Sequence, residues 1–288
     1  MRATVWGCRG SLATPGAATV RYGGNTSCVE VRLADGTLLV LDAGTGIRPL
    51  GLELEDYSAP IHLLLTHLHL DHLEGLGFFM PLWRAGSELH VWGPPSPTRS
   101  LEERIARYLS PPLFPIHLSE IPAQLTFHNV PDEPWEIGDA RIEAEPVSHP
   151  GPTVGYRLED DGSSLAYIPD HEPALGGDLR ALPPEWISGL GVAEAVDVLL
   201  HDAQYSEAEY ETKVGWGHSS VAAAVDFARA ARVERLLLFH HDPLHTDQDL
   251  VALEAQAREL WGRDGVAPEL AVEGATIELA GRVAAASG

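Results

Sequence analysis

The seven residues Thr66-His67-Leu68-His69-Leu70-Asp71-His72 set three imidazoles and a carboxylate directly behind the apolar run Ile61-His62-Leu63-Leu64-Leu65. A run of that length, bounded as it is, reads as a buried strand. Crowding imidazoles and a carboxylate beside a core costs desolvation unless a cation offsets it. The stretch therefore demands a fold in which a central strand ends at a metal pocket. His67 and His69, two apart in the loop leaving the strand, can face one point, whereas Asp71 and His72 open the next segment and can face a second. A shell of imidazole and carboxylate without thiolate suits zinc, with manganese or iron open, and two such ions about 3.5–4 Å apart can share one water-derived nucleophile.

The rest of the chain reads as alternating strands and helices. Strand-like runs fall at 3–7, 27–33, 37–41, 61–65 and 88–92, and again at 141–147, 153–158, 164–168, 197–200, 235–239 and 269–273. Helical spacing predicts helices over 46–54, 73–83, 101–109, 218–231 and 246–262. That alternation belongs to the α/β class, and one domain over 1–288, built from two similar halves, is the simplest account. Residues 94–135 break the rhythm with repeated prolines. They read as an insertion, either a lid over the site or an excursion that covers a sheet edge.

His67, His69, His72, His149, His171, His201, His218, His240, His241 and His245 all fall at or just beyond the carboxyl ends of inferred strands. In α/β sheets ligand sites form there, where loops from several strands converge. The two cysteines, Cys8 and Cys28, make no disulfide framework and read as reduced core residues.

Charge narrows the partners. With a net charge of −23 and a single lysine, Lys213, the chain would repel a long phosphate backbone, so long nucleic acid is disfavoured and small anions remain open. No apolar run is long enough to span a bilayer, and Met1 to Gly7 lacks a signal-peptide core. A cytoplasmic protein without a membrane partner is expected.

Thr66 to His72 resembles the signature of the metallo-β-lactamase fold superfamily. The resemblance implies an αββα sandwich of two mixed sheets flanked by helices, with a dinuclear site between them. The superfamily's other ligands have counterparts in the right order: His149 in Pro-Val-Ser-His-Pro, Asp170 in Ala-Tyr-Ile-Pro-Asp and His240 in Leu-Leu-Leu-Phe-His. By that similarity His67, His69 and His149 would bind one divalent ion, Asp71, His72 and His240 the other, and Asp170 would bridge. His241 competes with His240, which is preferred as the first residue after the apolar run.

Two further stretches, Asp197 to Ala203 and Gly217 to Ser220, resemble the His-Glu-Ala-Thr and Gly-His-Ser-Thr elements of ribonuclease Z and its phosphodiesterase relatives. This implies that a hydroxide oriented by Asp71 attacks phosphorus while His218, kept protonated by Asp202, protonates the departing oxygen. Asp202 stands where a glutamate is usual, which shortens its reach. Both stretches also fit plain helix starts, a serine capping the helix after Ser220 and Asp202 capping one near Tyr205.

Asp42 reads as a support that positions a ligand histidine. Asn25 is a turn residue or a substrate contact, His171 a candidate substrate contact, His201 a hydrogen-bonding neighbour, and His245 remains open. The function this implies is hydrolysis of a small phosphodiester such as a cyclic nucleotide or a cyclic ribose phosphate. Two alternatives stand beside it: an acyl hydrolase such as a lactonase, thioesterase or β-lactamase, and a non-catalytic accessory protein like the quinone-cofactor biosynthesis proteins that the amino-terminal third also resembles. The resemblance further implies a homodimer.

Overall fold

A computed structural model describes residues 1–262 and 265–279, so the last nine positions of the expected 1–288 unit lie outside the described residues. Two seven-stranded sheets form its centre. The first comprises β1 (Arg2–Gly7), β2 (Cys28–Arg32), β3 (Leu38–Leu41), β4 (Ile61–Leu64), β5 (Glu88–Gly93) and β6 (Gln124–Asn129), with β14 (Thr276–Glu278) outside β1. The second runs from β7 (Trp135–Ile137) through β8 (Ala140–Pro146), β9 (Val154–Asp160), β10 (Ser163–Ile168), β11 (Val198–Asp202) and β12 (Arg235–Phe239) to β13 (Glu269–Leu270). Each sheet is mixed: β3 to β6 and β10 to β13 pair in parallel, the remainder antiparallel.

Alternation along the strands builds three apolar layers. Leu39, Leu41 and Leu64 point inward to meet Tyr156, Leu200 and Phe239 of the second sheet. On the outer face of the first sheet, Val40, Leu63 and Val91 pack under α1 (Ile47–Glu53) and α2 (Leu101–Ala106). Outside the second sheet, Leu199 and Leu238 lie under α5 (Val221–Ala230) and α6 (Asp247–Trp261), while α3 (Leu190–Ala193) and α4 (Glu207–Tyr210) are single turns in the connections. This is the αββα arrangement that the sequence implies. Cys8 and Cys28 are buried free thiols.

Two segments differ from expectation. Residues 73–83 form no continuous helix but 3-10 turns at Leu76–Phe78 and Met80–Trp83. Gly75, Gly77 and Pro81 explain this, because glycine and proline withdraw the backbone order and the donor that an α-helix needs. Residues 94–135 contain an integral edge strand, β6, and send Leu101, Ile105, Leu109 and Phe114 into the outer core. The same segment also places Arg104, Arg107 and Tyr108 beside His67 and His69 at a cavity of about 440 Å³.

Register carries the strand ends to one place. Ile168 pairs with His201, and Asp202 with Phe239. Residues 170, 202 and 240 therefore leave the second sheet as neighbours, facing the loop that follows β4.

Candidate metal centre

His67 and His69 follow β4, His69 in extended backbone, and Asp71 and His72 share the 3-10 turn Leu70–His72. His149 follows β8, Asp170 follows β10 and His240 follows β12. Ligand atoms of His67, His69 and His149 lie within 4.8 Å of one another, as do those of Asp71, His72, Asp170 and His240. Asp170 stands between the two groups. Its Oδ2 is 3.7 Å from His67 Nε2 and 3.6 Å from His149 Nε2, while its Oδ1 is 2.9 Å from His72 Nε2 and 3.3 Å from His240 Nε2.

The outward ring nitrogens fix which atoms point in. His72 Nδ1 donates to Asp42 Oδ2 at 2.8 Å, His149 Nδ1 to the Gly217 carbonyl at 2.8 Å, and His240 Nδ1 to Gln204 Oε1 at 2.9 Å. Each ring thus aims Nε2 at the centre, the orientation that metal-bound imidazoles adopt. His67 Nε2 is buried without any hydrogen bond, a cost that a cation would remove. Two glycines let the backbone press these rings into place. A Cβ on Gly10 would sit 2.4 Å from His240 Nδ1, and one on Gly217, whose φ is +89°, 2.5 Å from His149 Nδ1.

The charges ask for a cation too. Burial alone would raise the carboxyls of Asp71 and Asp170, yet the surrounding imidazoles hold both well below the usual carboxylate range. Burial drives His67 well below its ordinary value, and like neighbours push it further. His72 goes the opposite way: burial opposes its charge, but Asp170, Asp71 and Asp42 raise it well above the ordinary value. Carboxylates that force a buried imidazole to stay protonated mark a place where positive charge is required. The donor set, orphaned nitrogen included, fits two divalent ions.

A second constellation borders the first. Ligand atoms of His218 lie within 4.8 Å of those of His149 and Asp170, and its ring stacks on His240 at 4.9 Å. His218 Nδ1 meets Asp202 Oδ2 at 2.8 Å. Burial disfavours its charge, but Asp202, aided by Asp170 and Asp71, outweighs it and the imidazole is pushed up to about 9. The shorter aspartate therefore reaches. It also accepts from the backbone nitrogens of His171 and Gln204, which fixes its carboxylate.

A family model described as the beta-lactamase superfamily domain matches residues 37–241. The chain belongs to that superfamily. Ribonuclease Z of Myxococcus xanthus is 28% identical over 296 residues, covering 88% of this chain and 92% of that protein. Among solved structures, human short-form tRNase Z superposes with a TM-score of 0.67 at 19% identity, covering 97% of this chain and 100% of that one. A diphosphatase of the PhnP family gives a TM-score of 0.66 at 20% identity, covering 96% and 97%. This superfamily member is a metal-dependent hydrolase.

Other residues singled out from the sequence occupy different positions in the superfamily fold. His241 turns away, its Nε2 bonded to the Ala271 carbonyl at 2.9 Å, so His240 alone of the pair faces the cluster. His171 is fully buried, bonded to His201 Nε2 at 2.9 Å and packed on Phe227, which excludes the substrate contact expected of it. Asn25 is held by Glu273, its amide donating at 2.6 Å. His245 Nε2 pairs with Glu209 at 2.9 Å. Ser220 does cap α5, and Ser206, not Asp202, caps α4. Asp42 accepts from Thr66, Tyr167 and His72, and so supports the ligand turn. Gln204 was not foreseen. Beyond orienting His240, its Nε2 donates to Asp242 Oδ2 at 3.2 Å. The signal lay in its position two residues past Asp202, at a strand end where a polar side chain can meet the neighbouring strand's terminus.

Proposed function

We propose that the chain hydrolyses small phosphodiesters with a pair of divalent ions held by His67, His69 and His149 on one side, Asp71, His72 and His240 on the other, and Asp170 between. Such ions would supply an attacking group from water at neutral pH and neutralise charge at phosphorus. Zinc is the preferred occupant, with manganese or iron compatible with the same donors.

The chain's own residues would do the remainder. Asp71 Oδ2 accepts from the Ser11 backbone nitrogen at 2.7 Å, which holds the carboxylate ready to orient the attacking water. His218, protonated at neutral pH and anchored by Asp202 through Nδ1, leaves Nε2 to give its proton to the departing oxygen. The observation that carries the reading is this charged His218–Asp202 pair beside Asp170 and His149. An alkoxide leaving a phosphodiester needs such an acid.

Small substrates are favoured over long RNA by the net charge of −23 and by a cavity of about 440 Å³ at the ligand loop. The test is side-by-side turnover of a phosphodiester, an acyl lactone and a chromogenic cephalosporin by the metal-loaded protein. Metal-dependent diester cleavage is expected. Acyl turnover without diester turnover would replace this reading by the acyl hydrolase, and no turnover at two bound ions per chain by the accessory protein.

A further inference from the structure

The turn that leads into His218 is held by a buried carboxylate that the hydrolytic reading leaves idle. Residues 213–217 lie between α4 and α5, and Val214 and Trp216 are 48% and 60% exposed, so apolar burial does little to place them. Gly215 and Gly217 sit at φ +86° and +89°, a backbone with little intrinsic stiffness. Glu172 supplies the constraint. It lies two residues past Asp170 in the loop after β10 and is fully buried. Its Oε1 accepts from the Gly215 nitrogen at 2.9 Å and from the Tyr210 hydroxyl at 2.8 Å, and its Oε2 accepts from the Gly217 nitrogen at 2.8 Å. Its own backbone nitrogen donates to the Ser148 carbonyl at 2.9 Å. One residue thus ties together the loops that carry His149, Asp170 and His218. The turn passes the constraint on in two directions: the Gly217 carbonyl accepts from His149 Nδ1 at 2.8 Å, and the next residue is His218. A buried carboxylate is costly unless both oxygens find donors, and here both do. A glutamine could not replace it, because only one of its side-chain heavy atoms accepts and its amide N–H groups would face a glycine N–H.

We infer that Glu172 is a positioning residue that sets the metal ligand His149 and the acid His218 together, through the amides of Gly215 and Gly217. It touches neither the metal centre nor the substrate; it acts by fixing the carbonyl that orients His149 and the backbone that delivers His218. The His218 half of this inference rests on the phosphodiesterase reading, and the His149 half rests only on the metal centre. A ring displaced by about 1 Å loses much of its value as an acid, and a ligand that loses its outer hydrogen bond holds its ion less well.

The experiment compares wild type with E172Q in three measurements. Amide hydrogen exchange at Gly215 and Gly217 should speed up by roughly tenfold or more in the variant. Zinc affinity in a chelator-competition titration should fall by roughly 10–100-fold for one of the two ions and stay within about threefold for the other. At saturating zinc, kcat on a nucleoside cyclic phosphate should fall by roughly 10–100-fold with KM within about threefold, whereas bis(p-nitrophenyl) phosphate, whose leaving group needs no proton, should stay within about threefold. General loosening of the fold would lower both substrates alike. Should E172Q not fold, E172D, which keeps the charge but is one methylene short of its donors, should show the same pattern with smaller losses. Equal losses on both substrates, unchanged exchange at the two glycines, or a change in only one of zinc affinity and acid-dependent turnover would each overturn the inference. If wild type cleaves neither diester, the phosphodiesterase reading fails on its own account. The zinc titration then decides for Glu172: unchanged affinity of both ions in the variant overturns its role.

Discussion

Replacing Asp202 by asparagine keeps the side chain's shape and removes the charge that holds the His218 proton. In the native site His218 is pushed up to about 9, with Asp202 the principal partner opposing burial. Without that carboxylate, the imidazole should return to its ordinary value of roughly 6.5 or below, because burial then acts with less opposition. At pH 8 a group titrating near 9 is roughly 90% protonated and one near 6.5 roughly 3%, so turnover that depends on the proton should drop about 30-fold. At pH 6 the same variant should lose less than about twofold. The loss should appear with a nucleoside cyclic phosphate, whose leaving alkoxide needs the proton, and largely vanish with bis(p-nitrophenyl) phosphate, whose leaving phenolate does not. The assay is a pH series of kcat/KM on both substrates, with metal content and melting temperature as controls. A loss equal at both pH values, or equal for both leaving groups, would refute His218 as the general acid and leave Asp202 a structural residue. Linkage gives a companion sign. The raised imidazole stabilises the fold fully below about 6.5 and loses that contribution as pH rises through about 9. At about 1.4 kcal/mol per pH unit this is about 3 kcal/mol, which the variant should lack.

Removing His218 itself, as His218→Ala, should leave both ions bound and lower turnover of the cyclic phosphate by roughly 10²–10⁴-fold, read from steady-state kinetics beside elemental analysis. Gln204→Ala should weaken the ion on the His240 side by roughly 10–100-fold in a chelator-competition titration. Asp42→Ala would leave His72, Thr66 and Tyr167 without their shared acceptor and should cost about 3–5 kcal/mol in urea unfolding. Stripping metal with a chelator should lower the melting temperature, and readdition should restore it.

Much of the centre was legible because its densest part is local. Thr66 to His72 carries four of the seven proposed ligands in one turn of chain, behind a run whose burial is plain from its composition. His149, Asp170 and His240 each follow a strand, a position readable without knowing which strands pair. Gln204 was not legible, since its meeting with His240 depends on the parallel register that sets Asp202 beside Phe239. His171 misled because lying next to a proposed ligand says nothing of direction; its ring points into the layer beneath α5, against His201 and Phe227. Residues 73–83 kept helical apolar spacing, but Gly75, Gly77 and Pro81 outweighed it. β6 escaped because its exposed, polar half hides the alternation that marks an edge strand.

The central claim is that seven side chains between His67 and His240 hold two cations astride Asp170. Anomalous diffraction from crystals of the zinc-loaded protein tests it directly. Two peaks about 3.5–4 Å apart are expected, one beside His67, His69 and His149 and the other beside Asp71, His72 and His240, with Asp170 touching both. A single peak, or peaks that leave His149 or His240 uncoordinated, would contradict the account.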